Sequence, residues 1–222
     1  MKYVVFSYDD GTVHDKRLIE LMNAYHIKGT FNLNSGLAHY VWKLNDLDIE
    51  RPDLNEVKSI YDGHEVAAHS VTHPHLDWES EERLHKEVFE DKKNLENIFN
   101  RTIEGFATPF GTYNEKVIEE IKKAGFKYCR LPEFTPSFVH EEDLFHLKVN
   151  ALTFEDNLLQ ILERFVRDKN DDTICIIAGH SYEYYVDDSW DELEKVFNYI
   201  NSFPSLKSVT LSEALKLTNR IK

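Results

Sequence analysis

Cysteine is scarce in this sequence, with only Cys129 and Cys175 among 222 residues. Two thiols cannot build a disulfide framework, and Cys175 sits in the apolar run TICIIAG, where it reads as a small buried hydrophobe. Basic residues are also few. Lys and Arg total 26 against 40 Asp and Glu, a formal charge of −14. A chain without a basic surplus gains little by releasing counterions, which argues against nucleic acid and anionic membrane as partners. No apolar stretch approaches the roughly 18 residues of a membrane span. The opening MKYVVFSY lacks a signal-peptide h-region and cleavage site and enters a strand at once, so the expected location is cytoplasmic, or secreted if a leader was removed. Low-complexity linkers and internal repeats are missing too, which points to one domain over residues 1–222. Oligomeric state leaves no mark on the sequence.

What is present is ample core material, 41% hydrophobic and 13% aromatic, which excludes a disordered chain. Short β-rich runs alternate with amphipathic segments. KYVVFSY, GTFNLN, HEVAAHS, IEGFAT, FKYCRL, LFHLKVNAL, TICIIAG and LKSVTL read as strands. HDKRLIELMNAYH, DLNEVKSIYD, NEKVIEEIKKAG, EDNLLQILERFVRD, SWDELEKVFNYINS and SEALKLTNR read as helices. The charged stretch ESEERLHKEVFEDKKNLENIF reads as a surface helix whose acid-base pairs, such as Glu82 and Lys86, form a solvated face. Residues 132–140 read as an irregular loop. Such alternation predicts an α/β fold with a mostly parallel sheet, either a barrel or an open doubly wound sheet, and its functional residues just past the carboxyl ends of strands.

The polar oddities fall at those ends. Asp9, Asp10 and Gly11 follow the first strand, and HSVTHPH follows the third. TPFG (108–111), Arg130 and His180 follow later ones. Adjacent aspartates repel each other unless a cation lies nearby. His69 and His73 are four apart, so on a helical turn both imidazoles face one point. A carboxylate plus two imidazoles makes a three-ligand site for a zinc-like cation with open positions for water and substrate.

Together these segments resemble the polysaccharide deacetylases, carbohydrate esterase family four, the NodB-homology domain. SYDDG resembles that family's first motif, and HSVTHP, within GHEVAAHSVTHPHL, the second. FATPFG takes the place of the third and IIAGHSYE that of the last, while KGTFNLNSG adds to the likeness. Order and spacing match across roughly residues 3 to 183. The resemblance implies a distorted (β/α) barrel of seven or eight mostly parallel strands. It also implies a metal-dependent hydrolase that removes N-acetyl groups from an amino-sugar-containing substrate. Asp10, His69 and His73 would bind the divalent metal, zinc first with cobalt, nickel or manganese as alternatives. Asp9 would take a proton from metal-bound water, and His180 would protonate the leaving amine. Phe110 and Gly111 would line the substrate site, with the Phe110 N–H facing the oxyanion.

Departures from the family pattern sharpen the expectations. Ala107 stands where an arginine usually holds the catalytic base, and Arg130 is the candidate substitute, the alternative being a surface arginine. Ala178 stands where a leucine lines the acetyl pocket, which would leave the pocket wider or filled by Trp190 or Phe134. The fourth motif is missing, so the group orienting His180 falls among Asp156, Glu183 and Asp187. Trp42 and Trp78 are candidate platforms for a sugar face, with buried packing as the alternative; His64 and His75 read as structural. The altered acetyl pocket keeps open a hydrolase of another small C–N bond, such as a deformylase or a cyclic ureide or imide hydrolase. The loss at Ala107 keeps open an inactive sugar-binding relative.

Overall fold

β-Branched and aromatic residues dominate the first strand, β1 (Lys2–Asp9), and all of it past Lys2 is buried. Burial on both faces is what the centre of a parallel sheet requires. The computed structural model describes residues 1–140, 143–155 and 157–221. Chain order then gives β2 (Gly29–Leu33), a hairpin of β3 (Val41–Leu44) and β4 (Leu47–Glu50), and β5 (Glu65–Ala68). There follow β6 (Gly105–Ala107), β7 (Tyr128–Phe134), β8 (Leu147–Val149), β9 (Ala151–Leu152), β10 (Thr173–His180) and β11 (Leu206–Ser208).

Nine of these strands form one sheet in the order β8-β7-β6-β5-β2-β1-β10-β9, with β11 pairing beside the start of β1. Every pairing in it is parallel. The sheet nearly closes into a barrel, because β8 and β9 at its two ends are separated in the chain by Asn150 alone. Asn150 ties that seam: its N–H donates to the Ile176 carbonyl, and its Oδ1 accepts from the Ile176 N–H at 2.9 Å. The fold is therefore the expected α/β near-barrel.

Helices coat the sheet. Asp15–Ala24 turns Leu18, Ile19 and Met22 inward, and Trp190–Asn201 turns Leu193, Val196, Phe197 and Ile200 inward. A second apolar cluster lies on the other face of β1, where Tyr3, Val5 and Ile176 meet Leu211, Ala214 and Leu215 of the last helix. Both cysteines are free and buried, and burial pushes each thiol up to about 12. Among the described residues no helix is long and apolar enough to cross a membrane.

Four local readings need correction. The stretch from Pro132 is not all loop, since β7 runs on to Phe134. LFHLKVNAL is a 3-10 turn and two short strands rather than one strand. The segment after Pro52 gives one α-turn and one 3-10 turn. The charged helix from Glu81 to Phe99 carries a π-helical stretch at Lys86–Glu90 and turns Glu87 and Asp91 inward, so its charges are not all solvated.

Candidate active site

Parallel pairing sets Asp9 opposite His180 at the carboxyl ends of β1 and β10. Asn32, one strand over and also opposite Asp9, donates to Asp9 Oδ1 at 2.7 Å. Arg130 reaches the same oxygen from β7. At 3% exposure Arg130 is not a surface residue, and its guanidinium supplies the fixed cation that Ala107 cannot. Burial opposes ionisation of Asp9, but the Arg130 charge, with His69 and His180 beside it, outweighs burial and holds the carboxyl at about 2.

Asp10 leaves the strand with φ 80°, the left-handed region that costs a non-glycine residue free energy and clusters at functional sites. Its Oδ1 lies 3.2 Å from His73 Nε2 and 3.9 Å from His69 Nε2. The two histidines meet on an irregular loop rather than on a helical turn. Ser70 and His73 both take positive φ, and the His73 N–H is capped by Ser70 Oγ at 3.0 Å. Glu87 accepts from the Thr72 N–H and hydroxyl, and Asp91 accepts from the His69 N–H at 3.0 Å, so the inward acids of the charged helix hold this loop.

His69 Nδ1 pairs with the Ala107 carbonyl at 2.8 Å. That bond puts the proton on Nδ1 and leaves the Nε2 lone pair facing the pocket, as a metal-binding imidazole needs. Burial, with His69 beside it, drives His73 down to about 3, and burial also lowers His69. Both rings are therefore neutral donors. One oxygen or nitrogen from each of Asp10, His69 and His73 lies within 4.8 Å of the others. A carboxylate and two neutral imidazoles at this spacing suit a borderline cation such as zinc.

His180 is fixed from its own helix. Residues Ser181–Val186 form a short helix not evident from the sequence, and Glu183 on it accepts from the His180 N–H and pairs with His180 Nδ1 at 3.0 Å. Of the candidates for orienting His180, Glu183 is the one in contact; Asp156 lies outside the described residues. Burial opposes protonation of His180, but the Glu183 hydrogen bond and the Asp10, Glu183 and Asp9 charges prevail and raise it to about 9. Gly179 makes room for this arrangement, since a Cβ there would collide with Thr153, whose hydroxyl bonds Glu183 at 3.0 Å.

Asp9, Asp10, His69, His73, Arg130 and His180 all open into a cavity of about 550 Å³. Phe110, Gly111, Pro132, Tyr40, Trp42 and Tyr182 line it as well, as do Phe154 and Leu152, which is paired beside Ala178. Phe110 takes φ 54° and Gly111 φ 68°. Trp190 does not reach the pocket: it is buried beneath Arg17 and packs on Tyr184. Phe134 is half exposed and also lies outside the lining. Trp78 is 74% exposed and stacks on His75, which stacks in turn on Phe110. His64 is structural, buried and accepting the Gly29 N–H.

Sequence reasoning passed over Arg51, Asn32, Tyr40 and Tyr182. For the hairpin carrying Tyr40 and Trp42 to Arg51 a signal was there. Asn45-Asp46 lies between two short alternating runs, and both residues take the positive φ of a two-residue hairpin turn.

Comparison with known proteins gives one family. The family model described as polysaccharide deacetylase matches residues 1–129. No curated protein matches the chain by sequence. Solved structures share the fold. A family 4 carbohydrate esterase from Streptomyces lividans in complex with acetate superposes with a TM-score of 0.64 at 15% identity, covering 94% of this chain and 92% of its own. A family 4 acetyl xylan esterase from Clostridium thermocellum in complex with a cobalt ion gives 0.62 at 15%, covering 97% and 91%. The peptidoglycan deacetylase PdaC from Bacillus subtilis gives 0.61 at 17%, covering 99% and 92%.

Proposed function

The chain belongs to the polysaccharide deacetylase family, and from that premise we propose that it is a metal-dependent hydrolase removing N-acetyl groups from an amino-sugar-containing saccharide. The observation that carries this reading is the convergence, in one pocket, of a three-ligand cluster, a carboxylate held ionised and a histidine held protonated. Asp10, His69 and His73 would hold the cation, zinc first. When bound, the cation lowers the pKa of a water to about 7 and polarises the acyl oxygen.

The chain's own groups do the rest. Asp9, with Oδ1 fixed by Arg130 and Asn32, takes the proton of the attacking water at its other oxygen. The Phe110 N–H, in the turn between Pro109 and Gly111, faces the oxyanion as it forms. His180, with Nδ1 turned to Glu183, presents Nε2–H to the departing nitrogen. Trp42 and Tyr182, in the lining of the pocket, would bear on the sugar.

The test is metal content and hydrolysis by the purified protein, assayed on N-acetylated chitooligosaccharides, O-acetylated xylan and a panel of small amides. An ester arm is included because the similar structures number an acetyl xylan esterase among them. Zinc or cobalt should activate release of acetate from the chitooligosaccharides. A protein that takes up no divalent cation, or cleaves only the small amides or the ester, sinks the reading.

A further inference from the structure

Arg51 stands outside the residues assigned so far, yet it grips Asp10 at both ends. Its Nη2 donates to Asp10 Oδ1 at 2.8 Å, and its Nε donates to the Asp10 backbone carbonyl at 3.1 Å. The guanidinium is nearly sealed from solvent, at 6% exposure. The residue it grips is the one with φ 80°, a backbone state that persists only where the surroundings enforce it.

The arginine is itself held. It emerges from the β3–β4 hairpin, its N–H bonded to the Tyr40 carbonyl and its own carbonyl accepting from the His39 N–H. The Trp42 ring lies 4.5 Å and the Tyr40 ring 5.7 Å from the guanidinium carbon. Trp42 meets Tyr182 edge-on at 5.5 Å, and Tyr182 stacks on His180 at 4.9 Å. A continuous set of contacts thus runs from Asp10 through the hairpin to His180, around the mouth of the pocket.

We propose that Arg51 is a positioning residue: its planar fork clamps the backbone and carboxylate of Asp10 in the ligating geometry, and the hairpin's aromatic rings hold the fork. The proposal rests on the reading of Asp10, His69 and His73 as metal ligands. What matters is the fork and not the charge alone, because one guanidinium satisfies two acceptors in fixed relative position and an ammonium cannot.

Zinc affinity, measured by competition with a chromophoric chelator, and the visible absorption of the cobalt-loaded protein test it. Groups that orient a metal ligand are worth about 10- to 100-fold in metal affinity. Arg51→Lys and Arg51→Met should both lose affinity on that scale and alter the cobalt band, while their metal-free melting transitions stay cooperative. Wild-type affinity and an unchanged band in Arg51→Lys would overturn the clamp, since charge alone would then suffice. Tighter binding by Arg51→Met would overturn it as well, because the arginine would then be opposing the cation. If neither variant folds, Trp42→Ala decides: a few-fold weaker affinity with a shifted band supports the clamp, and wild-type values overturn it. A wild-type protein that takes up neither zinc nor cobalt brings down the metal reading itself, and the clamp with it.

Discussion

Asp9 and Asp10 are neighbours in the chain held by different cations. Asp9 is pinned by Arg130 and Asn32, Asp10 by Arg51, so their mutual repulsion is absorbed before any metal arrives. With its carboxyl held at about 2, Asp9 is ionised at any working pH, as the proposed base must be. Asp9→Asn should keep the metal and lose about 10²- to 10⁴-fold in turnover, read from acetate release and elemental analysis. The proposed acid titrates at the other end of the scale. His180 is raised to about 9, so it is protonated at neutral pH and the rate should fall as pH climbs through that value. Glu183→Gln removes the acceptor charge at Nδ1 and should move this alkaline limb down by about one pH unit or more. A limb that stays put in a pH–rate profile would refute the pairing. That the aspartates and histidines meet was legible in the sequence, because residue type and position past strand ends mark them, although His69 and His73 come together on a loop and not on a helical turn. Arg51 was not, because the Asn45-Asp46 turn reports a hairpin but not where that hairpin packs, and the contact with Asp10 is set by the packing.

At the scale of elements, the helix spanning Glu81 to Phe99 shows where patterning misleads. Its acid-base pairs at helical spacing do read as a solvated face, and its extent was legible to within a few residues. Two of its acids nonetheless point inward to cap the backbone of the histidine loop, and the π-helical stretch between the two α-helical segments lies at this contact. π-Bulges recur at functional sites. Glu87→Ala would strand the Thr72 N–H and hydroxyl, at a cost of about 1–3 kcal/mol. A lower melting temperature should come with weaker zinc uptake, although Glu87 touches neither histidine ring. Unchanged uptake in a folded variant would separate the helix from the site. The short helix after β10 escaped the sequence for a different reason. Its six residues, SYEYYV, carry two acceptable periods at once, and a segment that short is decided by its tertiary neighbours.

For the whole molecule, strand-helix alternation was enough to give a mostly parallel sheet, because each crossover needs a helix to return the chain; that the sheet nearly closes came from the family resemblance and not from the alternation. Buried acids make the stability of that barrel pH-dependent. Asp15 is bonded to Tyr61 and Ser181, and Asp91 to the Ser35 and His69 N–H groups. Burial raises both to about 7. An acid with a raised folded pKa favours the native state most below its unfolded value near 4, and that advantage declines as pH rises to about 7. Measured against Asp15→Asn, the unfolding free energy of the wild type from urea titrations should therefore fall between pH 4 and 7 by on the order of a few kcal/mol, the share that belongs to Asp15. Asp15→Asn should flatten the slope; an unaltered slope would show that Asp15 is ionised in the native protein.

The pairing of Asp9 with His180 across adjacent strands joins residues far apart in the chain. Contacts so distant in sequence form late, since the loop between them must close first. During synthesis Asp9, the proposed base, is made long before His180, its proposed acid partner. In a refolding time course, recovered hydrolysis is thus a clock for the docking of β10 against β1, and far-ultraviolet ellipticity should run ahead of it.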